Sequence, residues 1–270
     1  MRLISISTTV FTTCLIACSL GLFAQPPAGG PPAGPGGPPA GPGGPGGGGR
    51  GRGRMIGGPG SPTADGSRAV TDGGVKAAGW SGKVDANEEK AGMTINDAKF
   101  EESGGTIHVT TGPASSYWKT DDKATGDFTV KASFTEPKYM NLNTHPHPYG
   151  VFIGGNDMGT ENQTELYCAA YGNGNFIVRG FGPATFQMNG RGGEANAAVH
   201  KAEGPGQPVS QDVALSVKGD KVECSINGTV VASYDKSAVV GEGKLKSTDG
   251  AYGLRFAHNT DVEVKNFSKN

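Results

Sequence analysis

Between Gly126 and Gly182 the chain reads GDFTVKASFTEP, then HPHPYGVFIGGNDM, then TELYCAAYGNGNFIVRGFG. Each piece alternates apolar with polar residues, favours β-branched and aromatic side chains, and is cut from the next by Gly, Pro, Asn or Asp. That pattern belongs to short antiparallel strands. The rest of the folded region reads as further strands added to this nucleus.

The turn Tyr171-Gly172-Asn173-Gly174-Asn175 concentrates the residues that accept positive φ at least steric cost, a strong hairpin signal. A three-residue loop pairs Tyr171 with Asn175, Cys168 with Val178 and Tyr167 with Arg179. Leu166, Cys168, Ala170, Phe176 and Val178 then share one face, and Glu165, Tyr167 and Arg179 the other. A two-residue loop on Asn173-Gly174 would move Arg179 to the apolar side. Burying an unpaired guanidinium is costly, so the first register is preferred.

Strand-like runs also occupy 79–85, 92–105, 106–113 and Asp127 to Phe134, while 189–206 reads as loop. Residues 213–235 give three strands joined at Gly219-Asp220 and Asn227-Gly228. The closing GAYGLRFAHNTDVEVKNFSK gives two more around Asn259-Thr260. With roughly a dozen short strands and no convincing amphipathic helix, the expected fold is all-β, a two-sheet antiparallel jelly-roll sandwich.

Residues 1–24 have the pattern of a signal peptide: Arg2, an apolar uncharged run, then Ala24 before Gln25. Leu15-Ile16-Ala17-Cys18 also resembles a lipobox, in which reading Cys18 is acylated and anchors the chain to a membrane. Residues 25–65 are a Pro/Gly-rich linker with PPAGPGG repeated at 31–37 and 38–44. The period of seven excludes collagen, and such a segment has little apolar surface to bury. Residues 66–270 form the expected domain. Only Arg2, Arg50, Arg52 and Arg54 are basic before Asp65, leaving 20 basic against 25 acidic groups beyond them. A mildly acidic body argues against nucleic acid as partner.

Cys168 and Cys224 both fall on apolar strand faces. The expectation is two separately buried thiols; export permits a disulfide if the Cα atoms approach within about 7 Å. Gln163, Glu165 and Tyr167, opposite Arg179, put amide, carboxylate, phenol and guanidinium on one sheet face. Planar bidentate groups beside an aromatic ring suit sugar hydroxyls; the competing reading is a solvated face with one cross-strand ion pair. His145-Pro146-His147-Pro148-Tyr149 places two imidazoles on a Pro-stiffened loop. No third metal ligand is visible nearby, so no metal site is expected; the loop is read as presenting Tyr149 at the sheet edge, and Tyr149 and His147 are counted as candidate ligand-binding residues. Asn259, after His258, is assigned to a turn. Trp80, Trp118 and Phe181 are expected in the core.

Glu161 and Glu165, four apart, would stand roughly 13 Å apart along a strand, too wide for a glycosidase pair. There is no nucleophile elbow, phosphate loop or dinucleotide fingerprint, and no cofactor is expected.

GDFTVKASF, YGVFIGGNDM, LYCAAYGNGNFIVRGFG, VALSVKGDKVECSINGTVV and YGLRFAHNTDVEVKNF resemble, in order and spacing, the laminin-G-like members of the concanavalin A-like lectin/glucanase superfamily. They are most similar to exported bacterial domains related to the group labelled 3-keto-disaccharide hydrolase. The likeness spans about residues 79–268. It implies a concanavalin A-like sandwich with ligands on a concave sheet that includes Glu165, Tyr167 and Arg179. The expected function is carbohydrate or glycoconjugate binding by an exported domain. The alternatives are a 3-keto-disaccharide type hydrolase and a structural or adhesive envelope protein. The hydrolase strand pattern is only partly matched, by Thr164-Glu165-Leu166-Tyr167-Cys168.

Overall fold

A computed structural model describes residues 66–270; the leader, the Cys18 lipobox and the Pro/Gly-rich linker lie outside the described residues. In chain order the strands are β1 (Gly74–Lys76), β2 (Trp80–Val84), β3 (Ala98–Ser103), β4 (Thr106–Thr111), β5 (Ser115–Lys119), β6 (Phe128–Glu136), β7 (Tyr149–Asn156) and β8 (Thr164–Ala170). There follow β9 (Asn175–Phe181), β10 (Thr185–Gln187), β11 (Glu194–Ala195), β12 (Val209–Lys218), β13 (Lys221–Ile226), β14 (Thr229–Asp235), β15 (Ala251–Phe256) and β16 (Asp261–Lys269). The two α-helical segments, Ala86–Lys90 and Lys236–Val239, are single turns.

Sheet A has the order β1-β3-β4-β16-β6-β12-β13-β14, and sheet B the order β10-β9-β8-β7-β15-β5-β2, with β11 paired to β9. All pairings are antiparallel except β1 with β3. The all-β sandwich is therefore as expected, with more strands than the turn signals alone suggested. The expected strand over 92–105 is shorter. Its first half turns instead through Ile95–Asp97, where the Thr94 side chain and the Asp97 carboxylate cap the backbone reciprocally.

The sheets face each other through β6, β12 and β13 on one side and β7 and β8 on the other. In β6 the inward residues Phe128, Val130, Ala132 and Phe134 are buried while Lys131 is exposed, the period-2 signature of a sheet wet on one face. Tyr117 stacks on Phe100 with ring centroids 4.5 Å apart, and Phe134 meets Tyr149 at 5.6 Å. Burying each such side chain stabilises by roughly 1.5–3 kcal/mol. Cys168 of β8 and Cys224 of β13 are joined in a disulfide that bolts sheet B to sheet A, with Cα atoms 5.7 Å apart. The expectation of two separate thiols is corrected: both side chains are buried, but they meet across the gap between the sheets.

In sheet B, β7 and β8 are buried along nearly their whole length on both faces. That second covered face is where the chemistry collects.

Candidate functional site on the outer face of sheet B

The β8–β9 hairpin has the three-residue loop read from its sequence. Tyr171 N donates to Asn175 O at 2.8 Å, Cys168 pairs with Val178, and Tyr167 pairs with Arg179. Gly174 closes the turn at φ +91°, and a Cβ there would also strike the Lys201 side chain. This register sends Leu166, Cys168, Ala170, Phe176 and Val178 into the inter-sheet core. Glu165, Tyr167, Arg179 and Phe181 fall on the opposite face with Ala169 and Ile177. Trp118 of β5, Phe152 of β7 and Ala251 of β15 pack with Tyr167, Ala169 and Ile177 into a second apolar cluster, flanked by Met158, Tyr171 and Phe181. Gly253 lets Phe152 lie across this face, since a Cβ there would stand 2.6 Å from its ring.

A polar network is set into this apolar surface. Glu165 is fully buried; one carboxylate oxygen accepts from Ser116 Oγ at 2.7 Å and the other from Gln163 Nε2 at 3.4 Å. The cation beside it is Arg255 of β15, 3.9 Å away. Arg255 donates to both oxygens of Asp85 at 2.5 and 2.6 Å and to Ser116 Oγ at 3.2 Å. Its guanidinium lies 5.3 Å from the Tyr167 ring centroid and 5.0 Å from that of Phe181. Burial pushes the Glu165 carboxyl up to about 7, against the opposing pull of Arg255. Burial works against the Arg255 charge, but the Asp85 carboxylate outweighs it and holds the guanidinium firmly protonated. Arg255 was not anticipated, because its partner Asp85 lies 170 residues away in sequence.

Beside this network is a hollow of about 300 Å³ whose walls include His145, His147, Tyr167, Tyr171, Arg179 and Arg191. Three of the six expected site residues, His147, Tyr167 and Arg179, meet there. Arg179 Nε is buried and has no hydrogen-bond partner among the described residues, as is also true of Trp80 Nε1 and the Tyr149 hydroxyl in the inter-sheet core. Gln163 and Glu165 are spent within the protein: the Gln163 side chain also accepts from the Gly159 amide at 3.0 Å.

Tyr149 is corrected. It does not stand at the sheet edge but points inward against Phe134, fully buried, with burial holding its hydroxyl protonated. Trp80 sits in the inter-sheet core as expected, whereas Trp118 and Phe181 belong to the outer-face surface. His258, at the β15–β16 turn, lines the hollow as well; proximity in the fold supplies the third imidazole that the sequence did not show.

A larger hollow of about 680 Å³ lies on the outer face of sheet A, walled by Ser133, Asp212, Asn266 and Phe267 among others. Its polar groups bond one another: Ser133 Oγ donates to Asp212 at 2.6 Å, and Asn266 Nδ2 to Ser133 at 3.2 Å. The phenols, guanidinium groups and clustered imidazoles are at the sheet B hollow, so size does not decide between the two.

No family model matches the chain, and comparison with curated proteins finds no match. Among solved structures the chain is similar to a protein of unknown function with a galectin-like fold from Bacillus subtilis, at 11% identity and a TM-score of 0.46, covering 71% of this chain and 88% of that one. It is similar at 11% identity and a TM-score of 0.42 to the carbohydrate-binding module CBM66 from Bacillus subtilis, covering 71% and 95%. A putative glycosyl hydrolase from Parabacteroides distasonis is 18% identical, with a TM-score of 0.42 and coverage of 71% and 98%.

Proposed function

We propose that residues 66–270 are a carbohydrate-binding domain whose ligand enters the hollow on the outer face of sheet B. The observation that carries this reading is the lining of the hollow, which sets the side chain of Arg179 beside Tyr167 and Tyr171. A sugar hydroxyl accepts from guanidinium N–H groups, and the aromatic faces accept the apolar C–H surface of a pyranose ring. The volume matches the low end of small-ligand sites.

Binding rather than hydrolysis is the better reading of this geometry. Glu165, the carboxyl with the raised pKa, is fully buried and bonded on both oxygens, and it does not line the hollow. The 3-keto-disaccharide alternative would need that carboxyl to reach a substrate, and turnover of a 3-keto-glycoside abolished by Glu165→Gln would favour it.

The proposal extends to place. The Cys168–Cys224 bond supports folding in an oxidising compartment, consistent with a leader at 1–24 and a spacer at 25–65 that displays the domain outside the cytoplasm.

A polysaccharide panel read by affinity electrophoresis tests the binding site. Retention of the natural protein, weakened about 10-fold or more in Arg179→Ala and Tyr171→Ala, is expected. Retention equal in both variants and the natural protein would remove this site.

A further inference from the structure

We infer that His145, His147 and His258 form a binding site for a divalent transition metal of the zinc class, with an open coordination position facing the outer-face hollow. This goes beyond the carbohydrate reading and does not depend on it.

The backbone brings the three rings together. Pro146 and Pro148 push the residue before each of them into extended conformation, so His145 and His147, two apart, project to the same side. His258 arrives from the β15–β16 turn, where Asn259 holds φ +52°. That turn is pinned from several directions: Ala257 N donates to Pro148 O at 3.0 Å, Asn143 Nδ2 to Asn259 O at 2.7 Å, and Asn259 N to Gly112 O at 3.0 Å. One candidate ligand nitrogen from each histidine lies within 4.8 Å of the others. His147 stacks on His258 with centroids 4.1 Å apart and tilts against His145 at 4.3 Å. Nitrogens on a tetrahedral zinc stand roughly 3.3 Å apart at zinc–nitrogen distances of about 2.0–2.1 Å, and the stacked His147 and His258 rings, 19° apart in plane, turn out of their stack for both lone pairs to meet one ion.

The surrounding hydrogen bonds set two of the rings, His147 and His258, in the form a metal takes. His147 Nδ1 lies 2.6 Å from His258 O, and a carbonyl only accepts, so Nδ1 carries the proton and Nε2 the lone pair. His258 Nδ1 lies 3.3 Å from Ser67 Oγ, whose single proton goes to the Glu88 carboxylate at 3.0 Å. With Glu88 ionised, the serine oxygen accepts from His258 Nδ1–H, and His258 likewise turns its lone pair to Nε2. A ring N–H held by a backbone carbonyl, and another held by a hydroxyl–carboxylate pair, are the supports found behind metal-bound imidazoles. His147 Nε2 and His145 Nε2 lie 2.8 Å apart, so with the His147 lone pair on Nε2 it is His145 Nε2–H that donates, and a cation at this place takes the position of that proton, which moves to His145 Nδ1 or to solvent. Three imidazoles suit zinc, copper or nickel, and three protein ligands leave a fourth position for an exogenous oxygen. All three histidines line the same hollow, together with Arg179 and Arg191. The fourth ligand is therefore expected to be an oxygen carrying negative charge.

The untagged full chain, stripped with chelator and titrated with Zn²⁺ by calorimetry and with Co²⁺ by visible absorption, tests the inference. One Zn²⁺ per chain is expected, with a Co²⁺ spectrum of four-coordinate intensity. Affinity should fall by more than about 100-fold in His145→Ala and His258→Ala, and by about 10-fold to 100-fold in Ser67→Ala, the cost of losing a supporting group. His200→Ala, whose ring bonds Ser210 O elsewhere on the surface, should bind as the natural protein does. No zinc bound, or zinc bound equally by His145→Ala, would overturn the site. His145 lies on a half-buried loop, so this variant keeps the test readable even if His258→Ala fails to fold.

Discussion

Arg255 grips both carboxylate oxygens of Asp85, at 2.5 and 2.6 Å, from a position almost wholly shut off from solvent. The pair ties the end of β2 to β15, and the same guanidinium shields the Glu165 carboxyl. Removing one partner of a buried pair leaves the others uncompensated and costs on the order of 3–5 kcal/mol. Arg255→Ala should lower stability to urea by about that amount. Arg255→Lys should recover little, because an ammonium cannot make the two-pronged contact or lie flat over Tyr167 and Phe181. A full recovery by lysine would show that charge alone matters there.

The Cys168–Cys224 bond spans 56 residues and joins the two sheets through their shared core. Cross-linking a loop of that size stabilises by roughly 2–4 kcal/mol, mainly by restricting the unfolded chain. The double variant Cys168→Ala/Cys224→Ala should melt several degrees lower in calorimetry, and reductant should leave its transition unchanged while lowering that of the natural protein.

Glu165 should make stability depend on pH. Its carboxyl titrates near 7 in the folded protein, against about 4.3 when unfolded. Between those values the folded state holds a proton that the unfolded state has released. The contribution is complete below about pH 4.3 and is lost as pH rises through 7. Glu136, pushed up to about 7 by burial, acts in the same sense. The urea midpoint should therefore fall from pH 5 to pH 8, and Glu165→Gln, neutral throughout, should fall less. Equal slopes for the two proteins would show that Glu165 is not the titrating group.

Local pattern made some of this legible. The hairpin register followed from Gly172, Asn173 and Gly174 because turn geometry is set within a few residues, and it correctly sorted Leu166 and Val178 from Tyr167 and Arg179. Sheet A strands such as β6 show their faces through strict alternation. Tyr149 was misplaced because β7 is covered on both sides, so its sequence YGVFIGGN has no polar face to reveal the inward one. The Cys168–Cys224 bond, the Asp85–Arg255 pair and the meeting of His258 with His145 and His147 are all created by sheet stacking and by the approach of distant turns. No spacing along the chain encodes them.

Backbone amide shifts in NMR, followed while an oligosaccharide retained by the domain is titrated in, test the central claim most directly. The account predicts changes clustered at Tyr167, Tyr171, Ile177, Arg179, His147 and His258, around the hollow on sheet B. Changes confined to Lys131, Ser133, Asp212 and Asn266 on the outer face of sheet A would contradict it.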